Sequence, residues 1–195
     1  MIMKEIVKLR SYVNSAEPEV NRLLRNDQDA SDLTFDSLFE RGVIPHPLYR
    51  LMDNKYIRAC IHDDIFMDQG YLSCTTDVDK FIGRVTGDVI ACLEFDIQDE
   101  FDRIDVNVLL PEFNDEKEII LPRGLGLKLT LEGEYSNETE IQLFLNRIKS
   151  SCSAREIYGL LNIKKIFYYK ASLIKNREWG NPDLRFLSKG NPYYL

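Results

Sequence analysis

The stretch Asn114-Asp115-Glu116-Lys117-Glu118-Ile119-Ile120-Leu121-Pro122-Arg123-Gly124 reads as a short apolar strand with acids at alternate positions across its entrance. In a strand, residues two apart point to the same face, roughly 6.5–7 Å from one another. Glu116 and Glu118 are therefore expected side by side. Two carboxylates so placed repel each other unless something cationic or reactive lies between them. One reading is a solvated strand end, with acids guarding an apolar segment against aggregation. The other is an acid pair built for chemistry. The rest of the chain decides between them.

The 195 residues fit one domain with a sizeable core. With 44% hydrophobic and 29% charged residues the composition is that of an ordinary globular protein. A net charge of −7 and the lack of a long Lys/Arg run argue against nucleic acid as a standing partner. Charges at Lys4, Glu5, Lys8 and Arg10 interrupt the first apolar residues, and no secretory core or membrane-spanning run follows. No membrane partner is expected, and the chain is placed in the cytoplasm or, exported by another route, inside a target cell. Cys60, Cys74, Cys92 and Cys152 form no CxxC pair, and with only His46 and His62 as further ligands no metal site is expected.

The N-terminal part reads as helical. One short helix is expected around Val20, Leu23 and Leu24. Another is expected to be capped by Ser31-Asp32, to carry Phe35, Leu38 and Phe39 on one side, and to end at Gly42. After Pro45-His46-Pro47 the texture turns to strands: 48–52, 70–76, 88–97, 103–108, 116–121 and 125–131. The strand from Asp88 is apolar on both faces in its first half, as a central strand would be. Asn137 with Glu140 then opens a helix striped by Ile141, Phe144, Leu145 and Ile148; Ser153 with Glu156 opens a second. A last strand spans 165–174, before a polar tail. The class is α+β: a helical segment over 1–44 packed on a body over 45–195, with a helical insertion at about 136–163 and a tail from about 175.

Three stretches carry the chemistry, in order: Tyr49-Arg50; Tyr71-Leu72-Ser73-Cys74-Thr75; and Glu116-Lys117-Glu118 leading into Ile119-Ile120-Leu121-Pro122-Arg123-Gly124. Together they resemble the mono-ADP-ribosyltransferases of the Arg-Ser-Glu group, which takes in cholera-type and clostridial binary toxins with their phage, effector and vertebrate relatives. That family's pattern is aromatic-Arg, aromatic-x-Ser-x-Ser/Thr, and Glu-x-Glu before an apolar strand that often ends in Leu-Pro-x-Gly. The likeness spans about residues 47–132.

The resemblance implies a split two-sheet β core around an NAD+ cleft, and transfer of ADP-ribose from NAD+ to a protein acceptor of a host or target cell. Breaking the ribose–nicotinamide bond passes through an oxocarbenium-like sugar, which needs a fixed anion in a shielded site. Glu118 would be that anion and would accept from the ribose 2′-hydroxyl, meeting the need that carboxylates meet in glycosidases. Ser73 can donate its hydroxyl to hold Glu118, with Thr75 in support on the same strand face. There is no GxGxxG or Walker-type loop, so the pyrophosphate falls to a guanidinium, Arg50. By the same resemblance Phe81 packs on nicotinamide and Arg84 reaches phosphate. Glu116 would orient an acceptor arginine and take its proton, and Phe113 would belong to acceptor recognition.

Leu51 stands where many relatives have Gly or a second Arg, and Cys74 replaces the middle Thr of the hydroxyl strand, pointing away from the cleft. Glu112 and Asp115 add acid to the turn before Glu116 and would suit a basic acceptor surface. Two rivals keep the fold: an NAD+ glycohydrolase, against which Glu116 argues because water does not need it, and a catalytically silent binding module.

Overall fold

In the computed structural model, residues 2–15, 18–62, 65–79, 85, 87–97, 100–148 and 162–174 are described. Among them are ten strands: β1 (Glu40–Val43), β2 (Leu48–Asp53), β3 (Ile61–His62), β4 (Ile65–Asp68), β5 (Leu72–Thr75), β6 (Val89–Asp96), β7 (Glu100–Asp105), β8 (Glu118–Leu121), β9 (Leu125–Tyr135) and β10 (Lys165–Leu173). They form one hydrogen-bonded sheet in the order β1-β7-β8-β5-β2-β6-β10-β9-β4-β3. The doubly apolar β6 takes the central place its sequence calls for, antiparallel to β2 and parallel to β10.

The ladder is weakest at one seam. Strand β2 pairs with β6 over six residues but with β5 at a single pair, Tyr49 with Thr75. The split expected between two sheets is this seam inside a continuous ladder, and it divides β1-β7-β8-β5 from the other six strands. Arg50 lies on one side of it; Ser73 and Glu118 lie on the other.

Among the described residues five α-helices accompany the strands: α1 (Ile2–Val13), α2 (Glu19–Arg25), α3 (Asn54–Cys60), α4 (Val106–Leu109) and α5 (Glu138–Ile148). Helix α5 starts as its capping pattern dictates, with Asn137 Oδ1 accepting from the Glu140 amide at 3.0 Å and Glu140 Oε2 from the Ser136 amide at 3.2 Å. Its Ile141, Phe144, Leu145 and Ile148 pack with Tyr49, Cys92 and Ile166. The second expected capping box, at Ser153 and Glu156, lies outside the described residues. Helices α1 and α2 cover the β5/β8 half, where Leu9, Tyr12, Val13 and Val20 join Phe35, Tyr71 and Ile120 in one buried cluster. No helix among the described residues is long and apolar enough to cross a membrane.

Two expected elements differ. The stripe of Phe35, Leu38 and Phe39 forms a single 3-10 turn, Asp36–Leu38, and the chain then becomes strand β1, with Gly42 inside it opposite Phe101. Phe35 stacks on Tyr71 at 4.2 Å and Phe39 lies 5.8 Å from the same ring, so the aromatic spacing serves a stack and not a helix face. The strand expected over 103–108 stops at Asp105, whose carboxylate accepts from the Asn107 amide at 3.1 Å and caps α4.

Candidate active site

The β8 strand begins at Glu118, two residues later than the expected span of 116–121. Glu116 ends a 3-10 turn (Pro111–Glu116), Lys117 takes a left-handed conformation (φ 46°, ψ 41°), and Glu118 is the first strand residue. A left-handed residue between them breaks the period of two, so Glu116 and Glu118 are not neighbours on one strand face. Lys117 is held in this conformation by an ion pair from Nζ to Asp77 Oδ2 at 3.2 Å and by a bond from the Thr76 amide to its carbonyl at 3.4 Å. The side chain of Glu116, with Phe81 and Arg84, lies outside the described residues.

Register does the rest. Strands β5 and β8 pair antiparallel, Thr75 opposite Glu118 and Ser73 opposite Ile120, so Ser73, Thr75 and Glu118 share a face as expected. Ser73 and Glu118 are diagonal neighbours there, and Ser73 Oγ donates to Glu118 Oε1. Glu118 and Thr75 are both fully buried. Thr75 Oγ1 accepts from the Asp77 amide at 2.9 Å and donates to the Asp77 carbonyl at 3.0 Å, fixing the end of β5. Cys74 points to the opposite core, as expected, and burial pushes its thiol up to about 12.

Arg50 crosses the seam. Its Nη1 donates to the Ser73 carbonyl at 2.7 Å, filling with a guanidinium a bond that a paired strand would have made. Its Nε is sealed from solvent and has no hydrogen-bond partner among the described residues. Arg50, Ser73 and Glu118, drawn from three separate strands, therefore meet at one place.

The N-terminal helices reach the same place, which their sequence did not announce. Tyr12, on the last turn of α1, sets its hydroxyl 3.3 Å from Ser73 Oγ and 3.2 Å from the Tyr71 carbonyl. Burial raises its pKa to about 12, with Arg50 acting in the lowering and Glu118 in the raising direction. Asn21 of α2 mimics a strand partner for Tyr71, accepting from its amide at 2.8 Å and donating to its carbonyl at 3.0 Å. At Gly70 a Cβ would lie 2.7 Å from the Asn21 side chain, so only glycine lets the amide approach. Arg25 forks onto buried Asp68, Nε to Oδ1 at 2.8 Å and Nη2 to Oδ2 at 2.6 Å, while the Gly70 amide donates to Oδ1 at 2.8 Å. Burial pushes the Asp68 carboxyl up, but Arg25, Arg50 and the Gly70 amide outweigh it and hold it below the usual carboxylate range.

The turn before Glu116 is tied to α1 as well. Phe113 is half-buried against the α1/α2 cluster, and Glu112 pairs with Arg10 at 2.7 Å instead of standing free as added acid. After β8, Gly124 turns the chain at φ 72°, and Arg123 beside it forks onto Asp36.

No protein-family model matches the sequence, and no curated protein matches it significantly. Solved structures do. The Salmonella SpvB ATR domain superposes with a TM-score of 0.56 at 15% identity, over 88% of this chain and 99% of that one. BECa, an ADP-ribosylating toxin of a C. perfringens binary enterotoxin solved with NADH, gives 0.59 at 14%, over 88% of this chain and 43% of that one. The fold is that of the ADP-ribosyltransferase toxins. The catalytic domain of VsdC from Aeromonas hydrophila also superposes, at 0.52 and 13% over 88% of this chain and 100% of that one. At such identities the likeness is one of fold, and within an ADP-ribosyltransferase fold the meeting of Arg50, Ser73 and Glu118 at the seam is an observation independent of it.

Proposed function

We propose that this chain is a mono-ADP-ribosyltransferase of the Arg-Ser-Glu group, moving ADP-ribose from NAD+ to a protein acceptor, arginine first among side chains, with release of nicotinamide. The observation that carries the proposal is the Ser73–Glu118 bond at a buried carboxylate, with the Arg50 guanidinium anchored on the same serine. In this reading residues 45–195 are the catalytic domain and 1–44 a segment packed on it. The fold neighbour BECa, described as a toxin, supports an acceptor in a host or target cell and delivery by secretion or injection.

The glycosidic bond breaks with its electron pair leaving on nicotinamide, and positive charge builds on the ribose. Glu118, ionised and turned by Ser73, stabilises that charge where water does not screen it. A guanidine nitrogen of the acceptor then bonds to the anomeric carbon, and its proton passes to Glu116. The donors of Arg50 that do not bond Ser73 serve the pyrophosphate, as Phe81 and Arg84 would serve nicotinamide and phosphate; Thr75 braces the strand that carries Ser73, and Phe113 backs the acceptor turn.

Arg50→Lys keeps the charge and loses the fork, and is expected to lower kcat/KM for NAD+ by about a hundredfold, since forked charged contacts are not interchangeable with a point charge. Steady-state nicotinamide release checks this. Glu116→Gln separates the two halves of the reaction. It is expected to keep NAD+ hydrolysis within about threefold of the parent while transfer to an arginine analogue falls about a hundredfold or more. Equal loss of both reactions would contradict the division of labour, and fast hydrolysis with no transfer by the parent would make the chain a glycohydrolase.

A further inference from the structure

We propose that the Tyr12 hydroxyl is a positioning group for catalysis, donating to Ser73 Oγ so that Ser73 in turn holds the Glu118 carboxylate; the proposal rests on the ADP-ribosyl-transfer reading. The placement is not a local accident. Tyr12 precedes Ser73 by 61 residues, and the ring is clamped edge-on against Phe35 at 5.4 Å and Tyr71 at 5.9 Å. Only 5% of Tyr12 is exposed, so the hydroxyl looks to protein groups for its partners.

Counting protons gives the direction. Ser73 has one hydroxyl proton, and it lies against Glu118 Oε1, an acceptor alone when ionised. The lone pairs of Ser73 Oγ are then what Tyr12 meets. Tyr12 has one proton and two acceptors in reach, the Tyr71 carbonyl at 3.2 Å and Ser73 Oγ at 3.3 Å. Asn21 Nδ2 already donates to that carbonyl at 3.0 Å and also lies 3.4 Å from the Tyr12 oxygen. The carbonyl can accept from Tyr12 as well as from Asn21. With the Ser73 proton on Glu118, however, the two hydroxyl oxygens, 3.3 Å apart, would then face each other with no proton between them, so we place the Tyr12 proton on Ser73 Oγ. The result is a chain, Asn21 to Tyr12 to Ser73 to Glu118, in which each bond polarises the next. Burial keeps the tyrosine protonated throughout the neutral range, so the donor is always present.

A positioning group that does not touch the dinucleotide should alter the rate and not the binding. NAD+ cleavage is to be measured as nicotinamide release at saturating and subsaturating NAD+ for the parent, Tyr12→Phe, Ser73→Ala and the double variant. Glu118→Gln serves as the blank, and thermal unfolding of each variant is recorded beside it. Phenylalanine keeps the ring and its packing. The expected result is a kcat about tenfold lower in Tyr12→Phe with KM within about twofold. In the Ser73→Ala background the same change should have no further effect, because the bond it acts through is already gone. A further tenfold loss in that background, or a loss that tracks a lowered Tm in both, would make Tyr12 a packing residue and overturn the proposal. So would a raised KM at unchanged kcat, which would put the hydroxyl on the dinucleotide. A parent no better than Glu118→Gln would overturn the reaction itself and this proposal with it; an active parent with a parent-like Tyr12→Phe overturns this proposal alone.

Discussion

Replacing Glu118 by Gln is expected to lower nicotinamide release from NAD+ by about a thousandfold while leaving the protein folded. Glutamine keeps the shape of the side chain and an oxygen for Ser73 to donate to, so the geometry at Oε1 can persist. What disappears is the charge. Glu118 is fully buried at the start of β8, and a carboxylate there acts on a developing sugar cation with little solvent screening. The same burial means that the charge costs the folded state desolvation, so the variant should unfold at the parent's temperature or above it. A rate within tenfold of the parent would show that Glu118 is not the anion of the reaction. The opposite signs of the two effects, activity lost and stability kept, separate a functional charge from a structural one.

The second large effect is on stability. Arg25→Leu is expected to destabilise the fold by about 3–5 kcal/mol, because it strips the forked partner from a carboxylate with no exposure. For a chain of this length that is a fall in Tm of about 10 °C. Asp68 would keep the Gly70 amide and the distant charge of Arg50, which do not replace two short bonds. The pH dependence has a definite sign. In the parent the folded carboxyl titrates below its ordinary range. The pair's contribution is therefore complete above the unfolded value, about pH 4, and is lost as pH falls through the lower folded value. Without Arg25, burial pushes the same carboxyl up, and stability is lost as pH rises instead. The gap between the two proteins should widen from pH 3 to pH 7, and Asp68→Asn added to Arg25→Leu should close part of it. Thermal unfolding across that range checks this; a gap under about 1 kcal/mol at pH 7 would show that the ion pair does not fasten α2 to the sheet.

Local pattern announced the elements that bury a continuous surface. Strand β6, the stripe of α5 and its Asn137/Glu140 cap were legible because their periodicity and capping chemistry act within a few residues. Helix α3 and the β3/β4 hairpin were not: the start of α3 is set by Asp53 accepting from the Lys55 amide, and its seven residues are too few to show a period. The turn at Lys117 escaped for a different reason. A lysine at positive φ carries no signal of its own, and the contacts that accompany it, to Asp77 and to the Thr76 amide, come from about 40 residues away.

The site divides in the same way. Arg50, Ser73 and Glu118 were readable from three short stretches because strand register brings equivalent positions together once the order is known. Tyr12, Asn21, Arg25 and Asp68 were not, since the bonds that tie the N-terminal helices to the sheet join residues 43 to 61 apart in the chain. The sequence thus placed the helical start against the body without giving it a part in the site, whereas its Tyr12 hydroxyl lies 3.3 Å from the serine that holds the buried glutamate.

The most direct test uses NAD+ labelled in the nicotinamide ring and, separately, in the adenylate, incubated with the parent chain and a cell extract. Free nicotinamide label together with adenylate label bound to a protein, mapped to an arginine by mass spectrometry and absent with Glu118→Gln, is the predicted result. NAD+ left intact by the parent, or cleaved equally well by Glu118→Gln, would contradict it.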